Sequence, residues 1–155
     1  MKRRTCMSFL ALILLVSVAM IPARAQASAR LRADIPFDFY VGGKLLPAGE
    51  YSVEREAAGR DTLRVQSADG SEGMFALTIN VRGRRGQSDT PRLVFHRYGD
   101  QYFLAQAWES PTAGHTLVES KRERNLRKEL GASRVASARQ AEPEILVVAA
   151  HYEGR

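Results

Sequence analysis

Short segments in which apolar and polar residues alternate are the feature that most constrains the fold of this chain. In residues 34–41, Ile35, Phe37, Phe39 and Val41 occupy every second position, and residues 74–81 show a similar alternation. This period of two is typical of β-strands, whereas an amphipathic helix repeats every 3.6 residues. Turn-forming residues separate the segments, and Pro36 predicts an edge strand or a local break. The pattern predicts a mainly β protein, a single antiparallel β-sandwich or barrel.

The densest segment, PRLVFHRYGDQYFLAQAWES (residues 91–110), predicts a β-hairpin. Gly99 fits the first central position of a type II′ turn, which needs a positive φ angle. This turn predicts the cross-strand pairs Tyr98 with Gln101, His96 with Phe103, and Val94 with Ala105. One predicted face then carries Val94, His96, Tyr98, Phe103, Ala105 and Ala107, and the other carries Leu93, Phe95, Arg97, Tyr102, Leu104, Gln106 and Trp108. Neither face is polar, so we expect another element, a ligand or a partner to cover the second face.

The hairpin supplies the candidate site residues, as a binding surface or as part of the core: Phe95, His96, Tyr98, Tyr102, Phe103 and Trp108. We interpret His96 as a packed strand residue, because its predicted neighbours include no carboxylate that would orient an imidazole for base chemistry. Trp108 is expected to be buried on the same face as Phe95 and Leu104. The hairpin is therefore predicted to serve mainly to hold the fold together, with His96 as a packed residue and not a catalyst.

A short helix is predicted near residues 120–131. Ser120 and Glu123 have the spacing of a capping box, Leu126 and Leu130 form a narrow apolar stripe, and Gly131 is a natural stop. The basic residues of this segment are interleaved with glutamates, which indicates a solvated face. Residues 132–143 have the composition of a flexible linker, and EILVVAAHY (residues 144–152) predicts a last strand that returns to the sheet.

The N-terminus has the three parts of a secretory signal peptide. Lys2, Arg3 and Arg4 form a positive head, residues 9–21 are an apolar run, and an A-x-A pattern ends at Ala25. The run is shorter than the roughly 20 residues of a membrane span. Residues 1–25 are therefore predicted to direct export by the general secretory route to the periplasm or the outside, leaving residues 26–155 as one β-rich domain without a transmembrane anchor.

Removal of that segment changes the charge and the cysteine content. The chain has 23 basic and 17 acidic residues, and four of the basic residues but none of the acidic ones lie in residues 1–25. The remainder carries a net charge of only +2, which gives little support to nucleic-acid binding. The single cysteine, Cys6, also leaves with the segment. Disulfides, thiolate catalysis and cysteine metal sites are thus excluded from the mature domain.

Catalytic and cofactor motifs do not stand out. His96, His115 and His151 lack metal-binding spacing, so we expect no metal and no cofactor. Asp34 and Asp38 share one face of a strand but lie about 13 Å apart along it, which is too far for a glycosidase pair. No nucleophile motif or phosphate-binding glycine loop is present. We therefore predict no catalytic residues and no enzyme.

Three blocks carry a resemblance: ADIPFDFYVGGKLLPAGEYSVE, PRLVFHRYGDQYFLAQAW and SKRERNLRKE. Together they resemble a group of short, uncharacterised bacterial proteins that bear signal peptides and have no established activity. LPAGEYSV is also similar to a turn and strand of transthyretin-like and other exported β-sandwich domains. The resemblance implies a β-domain and assigns no site residues.

The leading functional hypothesis is an exported, non-enzymatic β-domain that binds another protein or a surface in the cell envelope, because a two-sided apolar hairpin would leave an exposed patch. The alternative is a small β-barrel that binds an apolar ligand in its interior. A hydrolase is third. Each hypothesis predicts a partner of a different kind, and none involves nucleic acid.

Export makes a direct prediction about the mature chain. Because signal peptidase cuts after an A-x-A pattern, the exported protein should begin at Gln26 and be soluble after cell fractionation. N-terminal sequencing of the protein purified from its host tests this expectation. An intact Met1 in the membrane fraction would contradict it.

Overall fold

The computed structural model describes residues 30–56, 61–83, 90–134 and 143–153. These residues form eleven strands and one helix. In chain order the strands are β1 (Arg30–Ile35), β2 (Phe39–Val41), β3 (Lys44–Leu46), β4 (Gly49–Arg55), β5 (Thr62–Ser67), β6 (Gly73–Val81), β7 (Arg92–Tyr98), β8 (Gln101–Trp108), β9 (Gly114–Leu117), β10 (Glu144–Ala149) and β11 (His151–Tyr152). The helix, α1 (Lys121–Arg134), lies between β9 and β10.

The strands form one sheet in the order β10-β7-β8-β9-β6-β5-β4-β1-β11. The short strand β2 pairs with β3 and lies parallel to β8 at Tyr40 and Phe103, while the other pairs of strands are antiparallel. The sheet is sandwich-like and does not close into a barrel. The predicted mainly β class with one short helix is therefore confirmed, and the sandwich is the form that it takes.

Two stretches of chain each take part in both halves of this sheet. The first part of β6 pairs with β5, and its second part, from Thr78, pairs with β9. The C-terminal stretch behaves in the same way, because β10 pairs with β7 and β11 pairs with β1. We call the side with β1, β4, β5 and β11 the first half and the side with β7–β10 the second half. Strands that change partners in this way let one sheet fold over its own core.

Alternating residues from both halves fill the core. Phe39 is fully buried, and its ring meets that of Tyr51 from the first half at 5.0 Å and that of Phe95 from the second half at 5.5 Å. Both contacts are edge to face, the arrangement that aromatic quadrupoles favour. Around them lie buried aliphatic residues, including Leu31, Ile35, Val53, Leu63, Val65, Leu93, Leu104 and Leu117. The period-two pattern of the sequence places these residues on the inner face.

Pro36 marks a break and not an edge. β1 ends at Ile35 and β2 begins at Phe39, whereas β1 itself pairs with β4 on one side and β11 on the other. The break carries the chain from the first half into the second. Within it, Phe37 stacks on Tyr102 at 4.1 Å and meets Phe95 edge to face at 5.3 Å.

The β7–β8 hairpin follows the predicted register only near its turn. Gly99 has the predicted positive φ angle, 60°, and the pairs Tyr98 with Gln101 and His96 with Phe103 are confirmed. The predicted pair of Val94 with Ala105 is wrong, because Val94 pairs with Gln106. Ala105 is the extra residue of a β-bulge, which shifts the register by one.

The bulge corrects the predicted position of Trp108. Beyond Ala105 the faces of β8 are exchanged, so Ala107 joins Phe95 and Leu104 in the core, and Trp108 points to the opposite face. Trp108 is buried there, at 7% exposure, and not beside Phe95 as expected. Its indole N–H donates to Gln106 Oε1 at 2.8 Å, and the Arg92 guanidinium lies 5.0 Å from its ring.

The helix runs beyond its predicted end. Gly131 was expected to stop it, but α1 continues to Arg134, because a glycine in a helix costs only about 1 kcal/mol relative to alanine. The predicted last strand is present and is interrupted at the buried Ala150. Glu153, just after β11, forms ion pairs with Arg30 and Arg32 of β1. The end of the described chain is thus held against the first half.

Several expectations concern residues outside the described ranges. They include the predicted signal peptide and residues 135–142 of the predicted linker. Within the described part of the chain, no helix is long and apolar enough to cross a membrane.

The contact between Trp108 and Gly114 makes a stability prediction. A Cβ atom at position 114 would lie 2.4 Å from Cε3 of the indole, so Gly114→Ala forces the ring or the strand to move. We expect a loss of about 1–3 kcal/mol in the free energy of unfolding, measured with urea. Gly43→Ala is the matched control, because its Cβ would meet nothing within 4 Å. In a Trp108→Ala background the same Gly114→Ala change should cost little, and an undiminished cost would refute the contact.

Candidate functional site

The six predicted site residues are divided between the two faces of the hairpin. Phe95 lies in the core and Tyr102 lies beside it against Phe37. The other four belong to the opposite face, which we call the outer face: His96, Tyr98, Phe103 and Trp108. Phe103, Tyr98 and Trp108 are less than 8% exposed, and the His96 side chain is 32% exposed. Most of the hairpin is thus packed on both sides and offers little free surface of its own.

His96 has a carboxylate partner, which corrects the expectation that none would be near it. Its Nδ1 atom lies 2.8 Å from Oε1 of Glu123, whose side chain is only 8% exposed. The expectation considered only neighbours within the hairpin, and Glu123 comes from α1. A carboxylate at Nδ1 fixes the orientation of an imidazole ring and leaves Nε2 for another partner, as in histidines that act as bases or ligands.

The predicted capping box is half formed. The Glu123 backbone N–H donates to Ser120 Oγ at 3.1 Å, as expected for a helix N-cap. The other half would send the Glu123 carboxylate back to the Ser120 backbone, but this carboxylate meets His96 instead. The start of α1 is therefore both capped and tied to the outer face through the same residue.

Arg122 provides a second tie between α1 and the outer face. Its guanidinium lies 4.5 Å from the centre of the Tyr40 ring, and its Nε and Nη2 atoms donate to Gln101 Oε1 at 3.2 and 3.1 Å. Tyr40 in turn stacks on Phe103 at 5.0 Å. The first turn of α1 thus covers the outer face, as one of the sequence expectations required. The predicted apolar stripe, Leu126 and Leu130, is only half-buried.

A cleft of about 360 Å³ lies between α1 and the outer face. We call it the α1 cleft. Ala105 and Pro143 contribute apolar residues to it, and Leu104 and Leu117 of the core border it; its polar and charged lining includes His96, Tyr98, Gln106, Glu119, Glu123 and Arg127. Glu119 accepts hydrogen bonds from Arg127 at 3.0 Å, so these two charges offset each other at the rim. The volume is at the small end of the range for small-molecule sites, which is about 300–1,000 Å³.

The Tyr98 hydroxyl group is the most perturbed titratable group of the cleft. Burial, together with the negative charge of Glu123, raises the pKa of Tyr98 to about 12. Arg127 opposes this change in the pKa and Glu119 adds to it. Burial and carboxylates both disfavour the phenolate, so Tyr98 is a neutral hydroxyl group at physiological pH.

A second surface was missed by the sequence analysis. Phe75, Leu77 and Ile79 alternate along β6 and point outward, with exposures of 56%, 67% and 62%. Val118, which is 49% exposed, adjoins them because its N–H donates to the Leu77 carbonyl at 2.9 Å. We call these four residues the β6 face. The only sequence signal for it was that the inward positions of β6, Ala76 and Thr78, are smaller or more polar than the outward ones.

The histidines do not converge. His96, His115 and His151 lie on β7, β9 and β11, and the described residues contain no group of three side chains suited to hold a metal ion. His115 is buried at 4% exposure, with Nε2 3.5 Å from a Glu109 carboxylate oxygen. Of the three, only His96 lines the α1 cleft.

Comparisons with known proteins give no family and no relative. No family model matches this chain, and neither a curated protein nor a solved structure matches it. The arguments for function therefore rest on the α1 cleft and the β6 face themselves.

The pair of His96 and Glu123 should contribute measurably to stability. Because the carboxylate is buried, we expect a double-mutant cycle with His96→Gln and Glu123→Gln to give a coupling energy of about 1–2 kcal/mol in urea unfolding. Arg97 and Glu144 form a matched exposed pair at 3.2 Å, for which we expect at most about 0.5 kcal/mol. Equal coupling in the two cycles would show that Glu123 does not hold α1 through His96.

Proposed function

We propose that this protein is an exported, non-enzymatic β-domain that binds another protein through the β6 face. The observation that carries the proposal is the row of three large apolar side chains, Phe75, Leu77 and Ile79, each more than half exposed on one strand. Single exposed apolar residues are common on soluble proteins, whereas contiguous groups mark interaction sites. We therefore assign the interaction patch to β6 and not to the hairpin.

The position of β6 supports a face-on mode of binding. β6 pairs with β5 on one side and with β9 on the other, so its backbone hydrogen bonds are used within the sheet. A partner cannot add a strand at this position, and it must bind through side chains. This favours an apolar segment that lies across the β6 face.

The groove beside the β6 face indicates the charge of that segment. A groove of about 510 Å³ is lined by Phe75, Leu77 and Val118, with Gly42 and Gly43 among its other lining residues. Lys121 and Arg122 also line it, and neither forms an ion pair with a carboxylate of the described residues. The complementary partner is a protein segment with apolar side chains followed by acidic ones.

The N-terminal sequence supports an envelope setting for this interaction. Residues 1–25 have the pattern of a cleaved secretory signal, and the resembling bacterial proteins also bear signal peptides. We therefore place the protein in the periplasm or outside the cell, with an envelope protein as its partner. The two alternatives, an apolar-ligand-binding domain and a hydrolase, would both use the α1 cleft, since it contains the oriented imidazole of His96.

Photo-crosslinking in the native host tests the proposal. A photoreactive phenylalanine analogue at position 77 should give one discrete adduct with another protein, and the same analogue at Asp100, in the exposed β7–β8 turn, should give none. Adding Lys121→Glu to the variant with the analogue should weaken the adduct, because it reverses the charge beside the groove. No adduct, or an adduct only with a second copy of this chain, would refute binding to a different protein.

A further inference from the structure

The α1 cleft contains a nearly buried carboxylate whose one ion-pair partner among the described residues is an imidazole, which carries a charge only when it is protonated. The carboxylate is that of Glu123, whose side chain is 8% exposed, and the imidazole is that of His96. Among the described residues, no arginine or lysine forms an ion pair with Glu123. Arg127, which also lines the cleft, pairs with Glu119 instead. Buried carboxylates in proteins are generally paired with a cation as well as hydrogen bonded.

The Tyr98 hydroxyl group is the second observation at this site. Tyr98 is 93% buried, as its exposure is 7%, and its hydroxyl group makes no hydrogen bond with the described residues. The ring is held by edge contacts with Phe103 at 5.8 Å and His96 at 6.4 Å. The charged groups that act on the hydroxyl, Glu123, Arg127 and Glu119, all line the α1 cleft. The hydroxyl group therefore lies at the wall of the cleft and is not one of the enclosed polar atoms of the structure, so it can bond a ligand there.

We propose that the α1 cleft is a binding site for a small amphiphilic amine. The ammonium group would lie between the Glu123 carboxylate and the Tyr98 hydroxyl oxygen, and the hydrocarbon part would lie against Ala105 and Pro143, where Leu104 and Leu117 of the core border the cleft. An ammonium group brings a permanent positive charge next to this carboxylate and can donate to both oxygens at once. The inference concerns a different surface from the β6 face and does not depend on the proposed protein partner.

Charge distinguishes this ligand class from its closest alternatives. A carboxylate head group of the same length would add a third negative charge beside Glu119 and Glu123. An alcohol would form hydrogen bonds but bring no positive charge next to Glu123. Hexylamine, 1-hexanol and hexanoate are therefore a matched set of probes with the same hydrocarbon chain.

Titration of the isotope-labelled protein with the three probes, followed by NMR, tests the site. Hexylamine should bind at millimolar concentration or below and shift the amide signals of Thr116, Leu117 and Glu123. It should bind at least about tenfold more tightly than 1-hexanol, corresponding to one charge-assisted hydrogen bond, and hexanoate should not bind. Binding of hexanol as tight as that of hexylamine, or no binding of hexylamine, would overturn the proposal.

Two variants assign the interaction to its residues. Tyr98→Phe removes only the unbonded hydroxyl group, so it should fold normally and weaken hexylamine binding about fivefold. Glu123→Gln should abolish the preference for hexylamine over hexanol. Tyr102→Phe is the control, because it removes the same group outside the cleft and should leave the affinity unchanged. Equal affinities of the Tyr98→Phe and Tyr102→Phe proteins would rule out the Tyr98 hydroxyl group as a ligand contact.

Discussion

The packing of the two halves of the sheet against each other depends on the buried ring of Phe39. It touches Tyr51 of the first half and Phe95 of the second, and it is placed there by the break between β1 and β2. Without that break, the alternation of residues 34–41 would continue as one strand within the first half. Pro36 favours the break because its nitrogen cannot donate a hydrogen bond to a neighbouring strand. A local property of one residue thus allows both halves to enclose the same core.

The bulge at Ala105 determines which side chains of β8 point to the outer face. It brings Leu104 and Ala107 to the same inner face and sends Gln106 and Trp108 to the outer one. The outer face therefore carries aromatic residues that must be covered, and the first turn of α1 covers part of it. The sequence predicted the turn at Gly99 and the nearest pairs, because turn geometry fixes register locally. It did not predict the bulge, because Leu104, Gln106 and Trp108 alternate with Ala105 and Ala107 without interruption, so the sequence pattern shows no change of phase at the bulge.

The candidate sites were less predictable than the fold for a related reason. The strands, the helix start and the last strand follow from local patterns, and the structure has each of them. The partner of His96 comes from Glu123, which is 27 residues away in sequence, and no local pattern connects them. The capping-box motif assigned that carboxylate to the helix backbone, whereas in the structure it bonds the partly buried imidazole of His96. The β6 face was missed because alternation predicts two faces but does not say which of them is inside.

The connection from β9 into α1 forms a wall shared by the two proposed sites. Val118, Lys121 and Arg122 line the groove of the β6 face, while Glu119 and Glu123 line the α1 cleft. Within the helix, Glu123 and Arg127 are four residues apart and both line the cleft, because residues at this spacing share one face of a helix. Lys121 and Arg122 line the groove instead. Because the bond between Glu123 and His96 fixes the first turn of α1, the same contact sets the width of both sites.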